Sequence, residues 1–351
     1  MALVNIVMPL YNKAETVARS IESIRHQELE DWHLIVVDDG STDGGGQIVG
    51  EIEDERIEII RQENQGPGAA RNVGIERAKS KYLAFLDADD EWYPWYLING
   101  VKALEENEVG FVVSMYYEWP HGEDMTDYWA RRNVRVGRYE IQGDEDPVWV
   151  DDVRKVVLAW NTLLRRELAG KYGGFYDKDR CASGEDTIFF VRLVLGEPFM
   201  IIAPAAVRYH AETSVLGHLS GNSPATPPFL TDPESVLDYC AASKRQLMQQ
   251  FLDHAAVGVA RRLARMGRKA EALDLLERYP GATLFEKKYR LCRRDIALSW
   301  WLPSWIGIKG LLAKPIRTLQ RKCNKSATAR DNAPLMPYEK EIETNRLNKI
   351  D

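Results

Sequence analysis

The sequence predicts an α/β fold in which a mostly parallel sheet is flanked by helices, with a C-terminal helical region after it. Two observations lead to this class. In the first third of the chain, short runs of apolar and β-branched residues alternate with segments of helical spacing, which is typical of strands buried on both faces of a parallel sheet. From residue 234 onwards, the apolar residues follow helical spacing instead.

The composition is that of a folded globular protein with a sizeable core. The chain has 351 residues, of which 45% are hydrophobic and 28% are charged. Its formal net charge of −7 is unfavourable for binding a phosphate backbone, so we expect no nucleic acid partner. The four cysteines lie far apart without a CxxC pair, which predicts free thiols in a reducing cytoplasm rather than disulfides or structural zinc.

Four strands and three helices are predicted in order within the first ninety residues. The N-terminal apolar stretch lacks a basic segment before it, so we interpret it as the first strand rather than a signal peptide. No run of 18 apolar residues occurs that would clearly span a bilayer. The predicted strands are Val4–Leu10, Trp32–Val37, Ile57–Arg61 and Tyr82–Leu86, and the predicted helices are Lys13–Gln27, Gly44–Ile52 and Gly66–Lys79.

Polar residues follow each of these strands. They are Tyr11–Asn12, Asp38–Asp39, Asn64–Gly66 and Asp87–Asp90. In open α/β sheets, ligands bind beyond the carboxyl ends of the parallel strands. The sequence therefore predicts one pocket lined by four loops.

The middle of the chain is less regular. We expect the acidic stretch Asp144–Asp152 to be a solvated loop, and Gly217–Pro233, rich in Ser, Gly and Pro, to be a linker. Helical spacing in Glu234–Met266 and Lys269–Tyr279 predicts a helical hairpin similar to a single tetratricopeptide unit. Further strands are predicted at Phe111–Trp119, Trp160–Arg165, Phe199–Ile202 and Val207–Tyr209, and a further helix at Asp186–Leu195.

A tryptophan-rich and basic segment, 296–323, follows the helical hairpin. Trp300, Trp301 and Trp305 precede five Lys and Arg residues within this segment, and Lys325 follows it. Such a composition suits the headgroup region of an anionic membrane surface. The alternative is that the tryptophans complete the core of the helical region. We expect the polar tail, 324–351, to be disordered.

The first motif with chemical meaning is FLDADD, Phe85–Asp90. Carboxylates at alternate positions after a strand can hold one divalent cation and leave coordination positions open for a phosphate-bearing substrate. Alone the pattern is weak, because acidic residues also end strands and cap helices.

Two further motifs precede it. In VVDDGSTD, Val36–Asp43, a carboxylate at a strand end can face a base or ribose, although a turn with a helix cap explains the same residues. In NQGPGAARNVGI, Asn64–Ile75, glycines allow the backbone to approach a ligand, and Arg71 lies on the helix that follows. Close helix packing is the alternative explanation.

These motifs, in this order and after PLYN at Pro9–Asn12, resemble glycosyltransferase family 2, whose members are inverting enzymes of GT-A fold. The resemblance covers Val4–Glu91 and resumes at Tyr172–Leu195, where GGF, ED and R follow one another. It implies a GT-A domain over 1–216. Composition and spacing predict the rest: a linker over 217–233, a helical region over 234–323 for which membrane association and core packing are the two alternatives, and the tail 324–351.

The resemblance also implies a role for individual residues. The catalytic residues would be Asp186, as the base that deprotonates the acceptor hydroxyl, and Glu185 beside it. The metal ligands for Mn²⁺ or Mg²⁺ would be Asp89 and His210. The nucleotide-sugar site would comprise Pro9, Tyr11, Asn12, Glu15, Asp39, Gly68, Arg71, Asp87 and Ala88.

The function implied is metal-dependent, inverting transfer of a sugar from a nucleotide sugar, with UDP as the expected nucleotide. The expected acceptor is a glycan or a lipid-linked molecule in cell-surface polysaccharide or lipopolysaccharide assembly. A cytoplasmic protein, peripheral at the inner face of the membrane, would fit this reading. Two alternatives remain: a catalytically silent scaffold and a sugar-phosphate nucleotidyltransferase. The segment PLYNKAET lacks the Gly-rich signature of a sugar-phosphate nucleotidyltransferase. A dinucleotide-dependent oxidoreductase is disfavoured because G-x-G-x-x-G does not follow the first strand.

Overall fold

The first half of the chain forms a regular parallel sheet with helices between its strands. In chain order the elements are β1 Val4–Leu10, α1 Val17–Arg25, β2 Trp32–Asp38, α2 Gly45–Gly50, β3 Ile57–Arg61, α3 Pro67–Arg77 and β4 Tyr82–Phe85. β1 pairs in parallel with β2 and β4, and β2 pairs in parallel with β3. The carboxyl ends of the four predicted strands therefore lie at one edge of the sheet.

The second half of the domain adds shorter and antiparallel strands. Its elements are β5 Glu91–Trp92, α4 Tyr96–Glu106, β6 Phe111–Trp119, β7 Glu123–Asp124, α5 Thr126–Ala130, β8 Gly137–Tyr139, α6 Pro147–Val156, β9 Thr162–Arg165, α7 Glu167–Lys171, α8 Glu185–Gly196 and β10 Phe199–His210. Only β10 and β6 pair in parallel here, whereas β9 runs antiparallel to both β4 and β6.

In this computed structural model, which describes residues 2–181, 184–213, 226–298, 333–337 and 339, the strands form one ten-stranded sheet. The order is β3-β2-β1-β4-β9-β6-β10-β5, with β7 beside β6 and β8 beside β10. The predicted α/β class with helices on a mostly parallel sheet is confirmed. The central strands β1 and β4 are almost fully buried, as expected for a sheet covered on both faces.

Within the sheet domain, two local predictions were wrong. The stretch expected to be a solvated acidic loop contains helix α6, which Asp146 caps by accepting a hydrogen bond from the backbone N–H of Val148 at 2.9 Å. Asp151 on that helix is buried and pairs with Lys155. The two short strands predicted near residues 199–209 are one strand, β10, with an irregularity between Ile202 and Val207.

The C-terminal helices pack on the sheet domain. They are α9 Pro228–Thr231, α10 Glu234–Leu237, α11 Arg245–Arg265, α12 Lys269–Arg278 and α13 Glu286–Leu298. α11 contacts α12 and α13 on one side and α6 on the other. The linker prediction fails for residues 226–233, because α9 lies within them and buries Phe229 and Leu230. Residues 217–225 are outside the described part.

The tryptophan-rich and basic segment falls almost wholly outside the described residues, from 299 onwards. Among the helices that are described, none is long and apolar enough to cross a membrane. No disulfide joins the three cysteines that the structure describes, Cys181, Cys240 and Cys292.

A short part of the tail, Ala333–Pro337 with Glu339, contacts the sheet domain. The carbonyl oxygen of Pro334 accepts a hydrogen bond from the Tyr93 hydroxyl at 2.8 Å, and Met336 is fully buried. Glu339 accepts two hydrogen bonds from Arg208, at 2.8 and 2.9 Å. These residues differ from the disordered tail that the sequence predicted, and the rest of the tail is outside the described residues.

Candidate active site

Asp39 directly follows β2, is 2% exposed, and organises the loop between β3 and α3. Its carboxylate accepts hydrogen bonds from the Gln62 side chain and from the backbone N–H groups of Gln65 and Gly66, each at 2.8 Å. Asp39 thus holds the loop that leads into α3. Its expected contact with a nucleobase stays a prediction, and it would use the carboxylate lone pair left by these three donors.

Residues at the end of β1 and directly after it lie at the same edge of the sheet. Tyr11 is 49% exposed and free to stack on a planar ring, whereas Pro9 is half-buried. Asn12 accepts a hydrogen bond from the backbone N–H of Thr42 at 2.9 Å, so it joins the loops after β1 and β2. Glu15 lies exposed just before α1. Of the four, Tyr11 has the geometry that best suits the predicted nucleobase contact.

The beginning of α3 is pressed against the loop before α8. A methyl group on Gly68 would collide with the carbonyl oxygen of Tyr176, so this position requires glycine. Asn72, one turn later, donates to the carbonyl of Phe175 and accepts from its N–H, both at 2.9 Å. The predicted ligand-facing role of Gly68 therefore has a packing explanation in the structure.

Arg71 connects the two halves of the site. It is 4% exposed, donates from Nη2 to Asp87 Oδ1 at 2.7 Å, and donates from Nη1 to Glu185 Oε1 at 2.8 Å. Asp87 follows β4 and Glu185 begins α8. A single guanidinium therefore joins the loop Asp87–Asp90, called the DxD loop below, to the Glu185–Asp186 segment. Burial lowers the pKa of Arg71, but the charges of the facing Asp87 and Glu185 carboxylates outweigh burial and hold that pKa well above its usual range.

Glu185 and Asp186 share the first turn of α8 but differ in surroundings. Burial, together with repulsion from Asp186, raises the pKa of Glu185 to about 7 despite the neighbouring Arg71. Asp186 is half-buried, and its carboxylate oxygen Oδ1 lies 3.4 Å from the Thr187 hydroxyl. Since Glu185 is committed to Arg71, Asp186 is the better placed of the two to reach a bound molecule.

The loop after β4 carries three acidic residues, Asp87, Asp89 and Asp90, which differ in their contacts. Asp89 is paired with Lys13, whose Nζ lies 2.5 Å from Asp89 Oδ2. The backbone carbonyl of Ala88 accepts a hydrogen bond from Thr16 at 2.8 Å, which ties the loop to α1. Asp90 points inward, where burial and then repulsion from Asp89 and Asp87 raise its pKa well above the usual range.

His210, predicted as a metal ligand, lies at the end of β10 and is 2% exposed. Its ring nitrogen Nε2 is 2.5 Å from Glu91 Oε2, and Nδ1 is 2.8 Å from Glu212 Oε1. The backbone N–H of His210 donates to Asp90 at 2.8 Å. Both ring nitrogens are therefore engaged, and metal binding would require the exposed Glu212 to release Nδ1.

The donor set fits a divalent cation that shares its coordination with a ligand. Among the described residues, no three His, Cys, Asp or Glu side chains converge as a complete metal site. The Asp89 carboxylate nevertheless forms an ion pair with the ammonium group of Lys13. Carboxylate oxygens are also the ligands that Mg²⁺ and Mn²⁺ prefer. A cation at Asp89 would thus need further oxygen atoms from a bound molecule.

Three residues of the candidate site were not predicted from the sequence. Lys13, which contacts Asp89, follows the PLYN motif directly, and this position after β1 could have indicated it. Arg19 on α1 donates to the carbonyl of Asp89 at 3.0 Å. Glu91, fully buried beside His210, looked like the end of an acidic run.

Several known proteins are similar to this chain in sequence. A sequence model described as glycosyl transferase family 2 matches residues 5–173. The succinoglycan biosynthesis protein ExoW of Rhizobium meliloti is 30% identical over 246 residues, covering 66% of this chain and 75% of that protein. An Escherichia coli protein, UDP-Glc:alpha-D-GlcNAc-diphosphoundecaprenol beta-1,3-glucosyltransferase WfaP, is 36% identical over 118 residues, 33% of this chain and 47% of that protein.

Among solved structures, residues 1–349 of S. aureus TarS in complex with UDP-GlcNAc superpose with a TM-score of 0.66 at 16% identity. The match covers 88% of this chain and 92% of that chain. At this identity the likeness establishes the fold alone. The chain spans less than half of WfaP and only 17% of an uncharacterised Rickettsia bellii glycosyltransferase that it matches.

Proposed function

The chain belongs to glycosyltransferase family 2, and from this premise we propose that it moves a hexose from a UDP-sugar to an acceptor hydroxyl with inversion at the anomeric carbon. The reaction would require Mn²⁺ or Mg²⁺. The acceptor would be a glycan or a lipid-linked molecule in cell-surface polysaccharide or lipopolysaccharide assembly. ExoW and WfaP, the relatives described above, carry names from such biosynthesis.

The observation that carries this proposal is the pair of hydrogen bonds from Arg71 to Asp87 and Glu185. Asp87 belongs to the loop expected to bind the donor, and Glu185 adjoins the residue expected to activate the acceptor. A transferase must align both substrates before reaction, and a rigid buried ion pair between their two loops supplies that alignment.

Asp186 is the proposed general base. Its position in the first turn of α8 places its carboxylate at the positive end of the helix dipole. The carboxylate would take the proton of the acceptor hydroxyl as the hydroxyl oxygen forms a bond to the anomeric carbon. The bond from that carbon to the diphosphate breaks on the opposite face, and UDP leaves.

The donor half of the site is proposed to hold the nucleotide and its diphosphate. Tyr11 and Pro9 would pack on the uracil, Asp39 would accept a hydrogen bond from it, and Asp87 would contact the ribose. Asp89 would hold the divalent cation, with His210 as a further candidate ligand. When bound, such a cation offsets charge on the departing diphosphate.

The choice of UDP has support from the similar proteins. The TarS structure contains UDP-GlcNAc, and the name of WfaP specifies UDP-Glc as its donor and a diphosphoundecaprenol-linked acceptor. A lipid-linked acceptor would suit the tryptophan-rich and basic segment, 296–323, as an anionic membrane contact. The proposed location is accordingly the cytoplasmic face of the membrane.

A thermal-shift panel of UDP, GDP and dTDP compounds, each with and without Mn²⁺, tests the donor. A ligand that binds the folded state raises the melting temperature by mass action. We expect UDP with Mn²⁺ to stabilise the wild type and not Asp89→Ala. Stabilisation by another nucleotide would change the donor, and no shift with any nucleotide would favour the scaffold alternative.

A further inference from the structure

The ammonium group of Lys13 occupies a cation position in the candidate active site. Its Nζ lies 2.5 Å from Asp89 Oδ2 and donates to the backbone carbonyl of Thr213 at 3.1 Å. Thr213 follows His210 closely, so Lys13 lies between the loop after β1, the DxD loop and the end of β10. The side chains of Lys13 and Asp89 are 24% and 12% exposed, so the pair is partly accessible to solvent.

A divalent cation and the Lys13 ammonium cannot both occupy the same position beside Asp89 Oδ2. A cation bound there alone would displace Lys13 and leave a second positive charge within a few ångströms, in surroundings where charges are only partly screened. A diphosphate removes this conflict, since its oxygen atoms can accept from the ammonium group and ligate the metal at once.

We propose that Lys13 closes the metal position at Asp89 while the donor is absent, and that it transfers to the diphosphate of the nucleotide when the divalent cation takes Asp89. This inference rests on the proposed function and deepens it, because it names a further donor-binding residue and the order imposed on metal and nucleotide. Lys13 is then a diphosphate ligand as well as a gate for the metal.

Reciprocal coupling between metal and nucleotide follows. Mn²⁺ alone competes with Lys13 and binds weakly, whereas UDP provides Lys13 with another partner and strengthens Mn²⁺ binding. By linkage, Mn²⁺ strengthens UDP binding by the same factor. A merely structural ion pair would hold the loops together and would produce no such coupling through Lys13.

The test measures Mn²⁺ affinity directly, by the loss of the free-ion electron paramagnetic resonance signal, without and with saturating UDP. The proteins are the wild type, Lys13→Met and Lys13→Arg. Lys171→Met is the matched control, since Lys171 pairs with Glu197 at the same distance of 2.5 Å but outside the site. Melting temperatures measured in parallel verify that each variant is folded.

In the wild type we expect UDP to increase Mn²⁺ affinity about 10-fold or more. In Lys13→Met, Mn²⁺ alone should bind about 10-fold more tightly than in the wild type. The increase produced by UDP should be clearly smaller than in the wild type, because only the direct ligation of Mn²⁺ by the diphosphate remains. Lys13→Arg should retain the coupling, and Lys171→Met should match the wild type.

If folded Lys13→Met binds Mn²⁺ with wild-type affinity and retains the full effect of UDP, the inference about Lys13 is wrong and the proposed donor is unaffected. If the wild type binds no UDP at any Mn²⁺ concentration, both the proposed function and this inference are overturned. The two failures are therefore distinguishable.

Discussion

Arg71 donates a hydrogen bond to Glu185 across 2.8 Å, although the two residues are 114 positions apart in the chain. The same guanidinium holds Asp87 at the end of β4. Since α3 carries the arginine and α8 begins at the glutamate, this contact fixes α8 relative to the carboxyl edge of the sheet. The proposed acceptor side and donor side are thus parts of one rigid arrangement.

Glu185→Gln should change how stability depends on pH. The pKa of Glu185 is 4.5 in the unfolded chain and about 7 in the folded protein, so folding takes up a proton at pH values between these two. This group's contribution to the free energy of unfolding is therefore present below pH 4.5 and falls as pH rises to 7. The loss is about 3 kcal/mol, the equivalent of that pKa difference.

Denaturant unfolding of both proteins at intervals from pH 4.5 to 8 checks this expectation. The unfolding free energy of Glu185→Gln minus that of the wild type should rise with pH across this range. A difference that stays constant, or falls, would show that Glu185 does not carry a raised pKa in the folded protein.

Gly68→Ala should loosen the contact between α3 and the segment before α8. The new methyl group would meet the Tyr176 carbonyl oxygen, and moving that backbone is expected to cost about 1–3 kcal/mol of unfolding free energy. Gly50→Ala is the matched control, because nothing lies within 4 Å of a methyl group there. The control should be neutral or slightly stabilising, by less than about 1 kcal/mol. Equal effects of the two substitutions would contradict the packing explanation.

Glu339→Gln should weaken the contact between the tail and the sheet domain. Arg208 is 2% exposed and donates twice to Glu339, so the substitution leaves a buried guanidinium poorly paired and should cost about 1–3 kcal/mol. Glu286→Gln is the control, since its pair with Arg290 is highly exposed and should contribute little. Indistinguishable unfolding curves for Glu339→Gln and the wild type would show that the tail contact does not contribute to stability.

The proposed membrane contact is tested by replacing Trp300, Trp301 and Trp305 with serine in the full chain. Truncation before this segment is less specific, because it also removes Glu339 and its contact with Arg208. The triple variant should lose flotation with vesicles containing anionic lipid and should retain the wild-type melting temperature. A marked loss of thermal stability with unchanged flotation would favour the alternative, in which the tryptophans belong to the helical core.

The parallel half of the fold was predictable from local sequence. β1 to β4 are mostly apolar runs, interrupted only by Asn5, His33 and Glu58, and polar residues follow each run; both features are properties of adjacent residues. Helix α6 could also have been found, because Asp146 and Pro147 form a typical helix start and Val150, Val153 and Val156 are buried at helical spacing. The high acidic content of this stretch concealed that pattern.

Contacts between distant segments were not predictable in this way. The motifs identified Arg71, Asp89 and His210 as candidates, but nothing in their spacing indicates Glu185, Lys13 and Glu91 as the respective partners. These pairs depend on how α3, the DxD loop and β10 meet in three dimensions. The same holds for Glu339, whose partner Arg208 belongs to a strand remote in sequence.

The most direct test of the proposed reaction is time-resolved proton NMR of the sugar released from a UDP-α-hexose to water, with Mn²⁺ and the donor that stabilises the protein most. Attack on the face opposite the diphosphate predicts that the β-anomer is released first, before mutarotation. Asp186→Asn should bind the donor normally and release sugar at least about 100-fold more slowly. Initial release of the α-anomer, or undiminished release by Asp186→Asn, would contradict inversion with Asp186 as the base.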